Sequence, residues 1–294
     1  MTVADLKREV LVRHLEAWAP AALHRARRAT YVHGYPGTGS EAALQVFAEL
    51  SDLVRGRELT MLAFGADIAP DGARLAPGLT VHPVPGELGG RLGVVLKAVG
   101  AARVPLLGFL DASGASEPPG PAVLGALAAG RPAEVLVVYA PGAAGDVAAR
   151  RVEFEAAGFP LVTAVELATG EEPGELLIFA TGQGKSLESF KDTLWAVDEY
   201  AGVRYRDPGD PERHLIDITL EPHPGPLRRE LLAHLARAGE CTVTELRTYA
   251  LTRTVYRAAD ATRVVQALLQ AGAVTRRPEQ GRLGGDVVIA AAQG

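Results

Sequence analysis

Apolar positions recur at the helical period through residues 4–28. Leu6, Val10, Leu11, His14, Leu15, Trp18, Ala22 and Leu23 predict an amphipathic helix that Pro20 is placed to kink or split. A short apolar run at 29–33 follows, then a glycine-rich loop, then helical periodicity over 40–53. The alternation continues with strands predicted at 59–64, 79–84, 105–111 and 134–139 and helices at 88–100, 121–129 and 145–157. The long connections between these strands suit parallel pairing. Two further apolar runs, 160–167 and 175–180, are separated by only seven residues. That spacer is too short for a crossover helix, so the pair is expected to lie antiparallel. The sum is an α/β fold, a Rossmann-like, mostly parallel sheet ending in one antiparallel hairpin.

A further helix is predicted over 186–200, with Leu187, Phe190, Leu194, Trp195 and Val197 available for packing. Residues 201–226 are rich in Pro, Gly, Asp and His and read as a linker or surface strap. The tail then reads as three helices (227–238, 242–251 and 260–271) and two strands (273–277 and 286–290) around a turn, the order of a winged helix. Three parts are therefore expected: a Rossmann-like domain at 1–200, a linker at 201–226 and a winged-helix domain at 227–294. A sheet that is mostly parallel and closes on an antiparallel hairpin is the strand pattern of class I methyltransferase folds.

Composition narrows the setting. Hydrophobic residues make up 48% and charged residues 22%, an ordinary globular balance. The single cysteine, Cys241, allows no intramolecular disulfide and no cysteine-based metal cage. No His/Cys/carboxylate set has metal spacing, so no metal is expected. The first residues read as a charged helix rather than a signal peptide, and no apolar run has the length of a membrane span. A cytoplasmic protein without a membrane partner is expected. The net charge of −5 is unevenly spread. Residues 222–294 hold ten Arg and no Lys against six acids, a net of +4, whereas the other 221 residues hold 20 basic and 29 acidic groups, a net of −9. A basic tail suits a polyanion or an acidic partner, or complementarity with the acidic body.

The first candidate site is the run Tyr31-Val32-His33-Gly34-Tyr35-Pro36-Gly37-Thr38-Gly39, between a strand and a helix. Glycines let backbone amides approach a ligand, and the following helix N-terminus offers free N–H groups to a carboxylate or phosphate. A tight turn needs glycine in any case, and the spacing matches neither a P-loop nor the usual dinucleotide fingerprint. Candidate cofactor contacts are His33, Gly34, Tyr35, Gly37 and Gly39, with Asp67 past the second strand for ribose hydroxyls. The second candidate is Asp111, at the C-terminal end of a central strand, where it can orient a substrate or act as a base. The alternative for Asp111 is a turn cap.

These motifs resemble the three-Cys-motif partner protein family, which is methyltransferase-like. YVHGYPGTG is similar to the family's Y-[IV]-D-G-F-A-G-P-G, and FLDASG stands where the family has a D-P-F-G-like strand end. LIFATGQGKSLESFKDTLWAVDEYAG, with Lys191, Asp192 and Trp195, is similar to its I-F-A-T…K-D-A-M-W stretch. The resemblance implies S-adenosylmethionine as cofactor. The chain departs from the pattern at three places. His33 replaces the acid near the methionine amino group, the second strand ends in Phe64-Gly65 without a ribose-binding acid, and Ala-Ser follows Asp111.

Two functions are therefore expected in competition. One is an S-adenosylmethionine-dependent methyltransferase (a transferase) acting on a nucleic acid or small molecule, with Asp111 orienting the acceptor. The other is a catalytically inactive pseudo-methyltransferase that binds DNA or a protein through its winged helix. In the DNA version, Arg253, Arg257 and Arg263 on or near the third tail helix, and Arg276, Arg277 and Arg282 at the wing, contact phosphates or base edges.

Overall fold

Helix α1 (Val3–Ala26) starts at a capping box in which the Thr2 hydroxyl accepts from the Asp5 amide and the Asp5 carboxylate accepts from the Thr2 amide at 2.9 Å. It passes through Pro20 as one helix and ends at Arg27 in the left-handed conformation. The apolar stripe explains the continuity, because Leu15, Trp18, Ala19, Ala22 and Leu23 are buried on both sides of the proline. The same buried stripe also carries Lys7 and His14. A computed structural model describes residues 2–35, 39–65, 77–197 and 202–292.

The strands β1 (Arg28–Gly34), β2 (Glu58–Phe64), β3 (Leu79–Val84), β4 (Leu106–Ala112) and β5 (Ala133–Tyr139) pair in parallel in the order β3-β2-β1-β4-β5. Connections run through α2 (Ser40–Glu49), α3 (Ser51–Val54), α4 (Leu92–Ala98) and α5 (Pro121–Leu127). Every residue of β4 is buried, as expected for a strand covered on both faces, whereas edge strand β3 buries only Leu79 and tolerates Pro83. After α6 (Val147–Ala157) come β6 (Leu161–Ala168) and β7 (Glu175–Thr181), which pair antiparallel as their short spacer requires. β7 inserts between β5 and β6, giving β5-β7-β6. This is a Rossmann-like α/β fold.

The stretch at 201–226, expected as a linker or strap, also extends the sheet. β8 (Arg204–Arg206) pairs with β6, and β9 (Leu215–Ile216) pairs with β8. Strands of three and two residues leave no periodicity to find in a sequence. Their anchor is a buried ion pair between Arg206 and Glu166 of β6, at 2.6 Å.

The tail comprises α8 (Gly225–Ala238), β10 (Glu240–Thr242), α9 (Val243–Arg253), α10 (Ala258–Gln270), β11 (Val274–Arg277) and β12 (Val288–Ala291). Its strands form an antiparallel sheet in the order β10-β12-β11. Its apolar residues, among them Leu231, Leu246, Val264 and Ile289, join the same buried cluster as Leu6, Phe179 and Trp195. Helix α7 (Gly184–Ala196) makes that junction. Its Trp195 indole donates to Val255 O at 3.1 Å, its Lys191 ammonium donates to Thr254 O, and Asp207 accepts from Val255 N at 2.9 Å. Burial pushes the Lys191 pKa down and the Asp207 pKa up. Lys191 and Trp195 of α7, with Asp207 beyond it, thus fasten the tail to the body. Among the described residues, no helix is long and apolar enough to cross a membrane.

Candidate functional site

The chain builds outward from β1 to β3 on one side, then returns to β4 and continues to β5 on the other. Ligands of open α/β sheets bind outside the strand C-termini at such a reversal, here between β1 and β4. His33 and Gly34 end β1 there with Tyr35 just beyond, and Asp111 is the penultimate residue of β4. Because β7 runs antiparallel, its first residue, Glu175, arrives at the same end.

Asp111 is not free in this crevice. Lys7 of α1 reaches it at 2.8 Å and lies 2.8 Å from Glu175 as well. The contact to Glu175 is an ion pair by distance only, since its Oε2 has no hydrogen-bond geometry to a partner. The Ser113 hydroxyl donates to the second Asp111 oxygen at 2.6 Å and accepts from Lys7 at 3.2 Å. The side chains of Lys7 and Asp111 are 7% and 8% exposed, so these charges are held out of water. Burial alone pulls the Lys7 pKa down, but the hydrogen bond to Asp111 and then the close negative charge of Glu175 outweigh it, leaving a net upward shift.

His33 is fully buried beneath the loop. Its Nδ1 lies 2.9 Å from the Tyr31 hydroxyl, its ring packs on Phe109 at 5.3 Å, and its Nε2 has no hydrogen-bond partner. Burial lowers its pKa from 6.5 to about 4, partly opposed by Asp111, so the ring is neutral at pH 7. The unfolded chain takes up a proton near 6.5, whereas the folded chain resists until about 4. Stability from the neutral ring is therefore complete above about 6.5 and is lost as pH falls through that window, by roughly 2–3 kcal/mol at pH 4.5. Urea titrations at pH 7 and 4.5 should show His33→Gln losing that much less on acidification than the parent. Equal losses in both proteins would refute the assignment.

Both described glycines of the loop answer to packing. Gly39 has φ +126°, and a Cβ there would stand 3.1 Å from Leu11 and 3.3 Å from His33. A Cβ on Gly34 would meet Leu110 at 2.4 Å. Tyr35, also at positive φ, donates its hydroxyl to Glu117 O at 3.2 Å. Gly37 and Asp67 lie outside the described residues, as do Pro36 and Thr38.

The six tail arginines are mostly engaged. Arg257 caps α10 and bonds Asp260 at 2.9 Å, and Arg263 bonds the same carboxylate at 2.5 Å. Arg276 donates to Pro278, Gly281 and Arg282 carbonyls, which shapes the turn between β11 and β12. Arg277 pairs with Glu240 at 3.0 Å. Arg253 and Arg282 are exposed and make no side-chain ion pair among the described residues. Asp210, Glu212 and His214 bring three potential ligand atoms within 4.8 Å of one another. Arg229 already supplies a cation there, 3.1 Å from Glu212.

The sequence does not single out Lys7, Ser113 or Glu175 as site residues, and Tyr31 enters it only as part of the run around the loop. For Lys7 a signal existed, since a lysine on the apolar stripe of an amphipathic helix must find a buried anion.

No family model matches the sequence, and no curated protein matches it. Among solved structures, one described as "Crystal Structure of EvdMO1" aligns with 13% identity and a TM-score of 0.34, over 63% of this chain and 44% of that one. The chain spans less than half the length of that structure.

Proposed function

We propose that this chain is a pseudo-methyltransferase: a class I methyltransferase-like body that no longer transfers methyl groups, joined to a winged helix that serves as its binding module. The strand order β3-β2-β1-β4-β5-β7-β6, with β7 alone reversed within it, supports the first part. The tail order, helix-strand-helix-helix-strand-strand, supports the second.

The observation that carries the loss of catalysis is the Lys7 clamp on Asp111 and Glu175. S-adenosylmethionine brings a sulfonium and an ammonium, and both need carboxylates or acceptor dipoles around them. In this crevice the β4 carboxylate is neutralised by a buried lysine, and the end of β1 offers a neutral imidazole instead of an acid. The described residues therefore do not fit that cofactor, and no catalytic step is assigned to Asp111. Calorimetry with S-adenosylmethionine, and with its demethylated product, should give no saturable heat up to about 1 mM. A micromolar dissociation constant for either would overturn this reading in favour of an active methyltransferase.

The partner of the winged helix is proposed to be a protein. Four of the six arginines expected to meet DNA are already spent on Asp260, Glu240 or turn carbonyls. Phosphate-driven binding gains with each cation left free to displace counterions, and of those six only Arg253 and Arg282 make no ion pair or turn contact among the described residues.

A further inference from the structure

A second site lies at the opposite end of the sheet from the crevice, independent of whether the crevice takes a cofactor. There a cavity of about 270 Å³ opens between the C-terminal half of α1, the start of β5 and the N-terminus of α7. Its walls include His14, Trp18, Arg25, Glu134, Lys185 and Ser186. His14, Trp18 and Glu134 are 2%, 5% and 4% exposed.

Three nitrogens of this wall have no hydrogen-bond partner: both imidazole nitrogens of His14 and the indole N–H of Trp18. Buried polar atoms are normally satisfied, and such a group costs about 1–3 kcal/mol when left bare. His14 cannot turn away, because its ring is held edge-on to Phe179 at 5.1 Å and Phe190 at 5.4 Å. Glu134 is a buried carboxylate with one oxygen bonded by the Ser186 hydroxyl at 2.6 Å and the other 3.2 Å from His14 Nε2, off the hydrogen-bond direction. No lysine or arginine pairs with it among the described residues.

The other end of the cavity has the opposite polarity. Gln183, the residue before α7, gives no side-chain cap, which leaves the first amides of this 13-residue helix available. Lys185 stands on that first turn, and Arg25 donates to the Gln183 side chain at 3.2 Å. A helix N-terminus flanked by two cations attracts an anion.

We propose that this cavity binds a small zwitterion of amino-acid type. Its anionic group, a carboxylate or phosphate, sits at the α7 N-terminus beside Lys185 and Arg25. Its ammonium is held by Glu134, with His14 and Trp18 supplying donors to the rest of the anion or to a bridging water. A simple anion would face the buried Glu134, and a simple cation would have to pass Lys185 and Arg25. The volume lies at the lower edge of ligand pockets and suits a molecule of this size.

The test is calorimetry on the full chain with 4-aminobutyrate and O-phosphoethanolamine, against inorganic phosphate and butylammonium. At least one zwitterion should bind about tenfold or more tighter than either single-charge probe, since each lacks one charge-assisted contact. Which zwitterion wins identifies the anionic group. Lys185→Glu, an exposed change that leaves the fold intact, should weaken that binding about tenfold or more. Glu134→Gln should weaken the zwitterion and leave phosphate binding no weaker, and tighter where the buried carboxylate had opposed it. No heat from either zwitterion up to about 10 mM overturns the proposal. So does phosphate binding as tightly as the zwitterions, or full affinity in Lys185→Glu.

Discussion

Replacing Lys7 with methionine should lower the unfolding free energy by about 3–5 kcal/mol at pH 7, the usual cost of removing one partner from a buried ion pair. The substitution keeps the apolar stem that packs in the α1 stripe but leaves Asp111 and Glu175 facing each other without a cation. Two effects then identify the cause. First, the deficit should shrink in acid, because like charges held together raise one carboxyl pKa and protonation relieves the repulsion. Second, the triple change Lys7→Met, Asp111→Asn, Glu175→Gln should recover most of the loss, because a neutral set needs no counter-ion. The parent has its own signature at high pH. The Lys7 pKa is raised in the fold, so its contribution is complete below the usual 10.5 and disappears as pH rises through the higher folded value. Urea unfolding of the parent and of the single and triple variants at pH 5, 7 and 9 reads the first two effects, and the parent above pH 10.5 reads the third. A loss below about 1 kcal/mol for Lys7→Met would mean that the clamp is a surface-like pair of little weight.

The parts of the molecule that were legible share one property: their signal is local. The stripe of α1, the long connections before β4 and β5, and the seven-residue spacer of the β6–β7 hairpin each constrain structure within one or two elements. The strand pattern follows from those constraints by addition. The site was half legible for the same reason. His33 and Asp111 could be placed at strand ends, because strand ends are local. Their condition could not, because Lys7 lies 104 residues from Asp111. Only the register of α1 against the sheet brings the two together. The tail arginines show the same limit from the other side, since a row of cations in sequence says nothing of the acids they meet. Asp260 sits three residues after Arg257 and three before Arg263, which places all three on one helical face where the acid takes both cations. That spacing was available to the eye and points away from a free basic surface.

Glu166 combines an invisible partner with the second large expected effect. It stands in the apolar run of β6, fully buried, and its Oε1 accepts from Arg206 at 2.6 Å, Gly174 N at 2.7 Å and Arg213 at 3.2 Å. Arg206 is also buried and donates onward to Gly170 O at 2.7 Å, so one guanidinium fastens both β8 and the β6–β7 turn. Glu166→Ala should therefore cost about 3–5 kcal/mol, because it strands a fully buried guanidinium and the Gly174 amide together. Glu166→Gln keeps an acceptor for Gly174 and should cost less. Adding Arg206→Met to Glu166→Gln should recover stability relative to Glu166→Gln alone, since the uncompensated charge is then gone. Hydrogen exchange separates this staple from general destabilisation. Amides at 169–174 and 204–216 should lose protection well before those of β1 and β4, which lie across the sheet. Uniform loss of protection, or a penalty below about 1 kcal/mol for Glu166→Ala, would show that apolar packing of the tail, not this ion pair, holds the edge of the sheet.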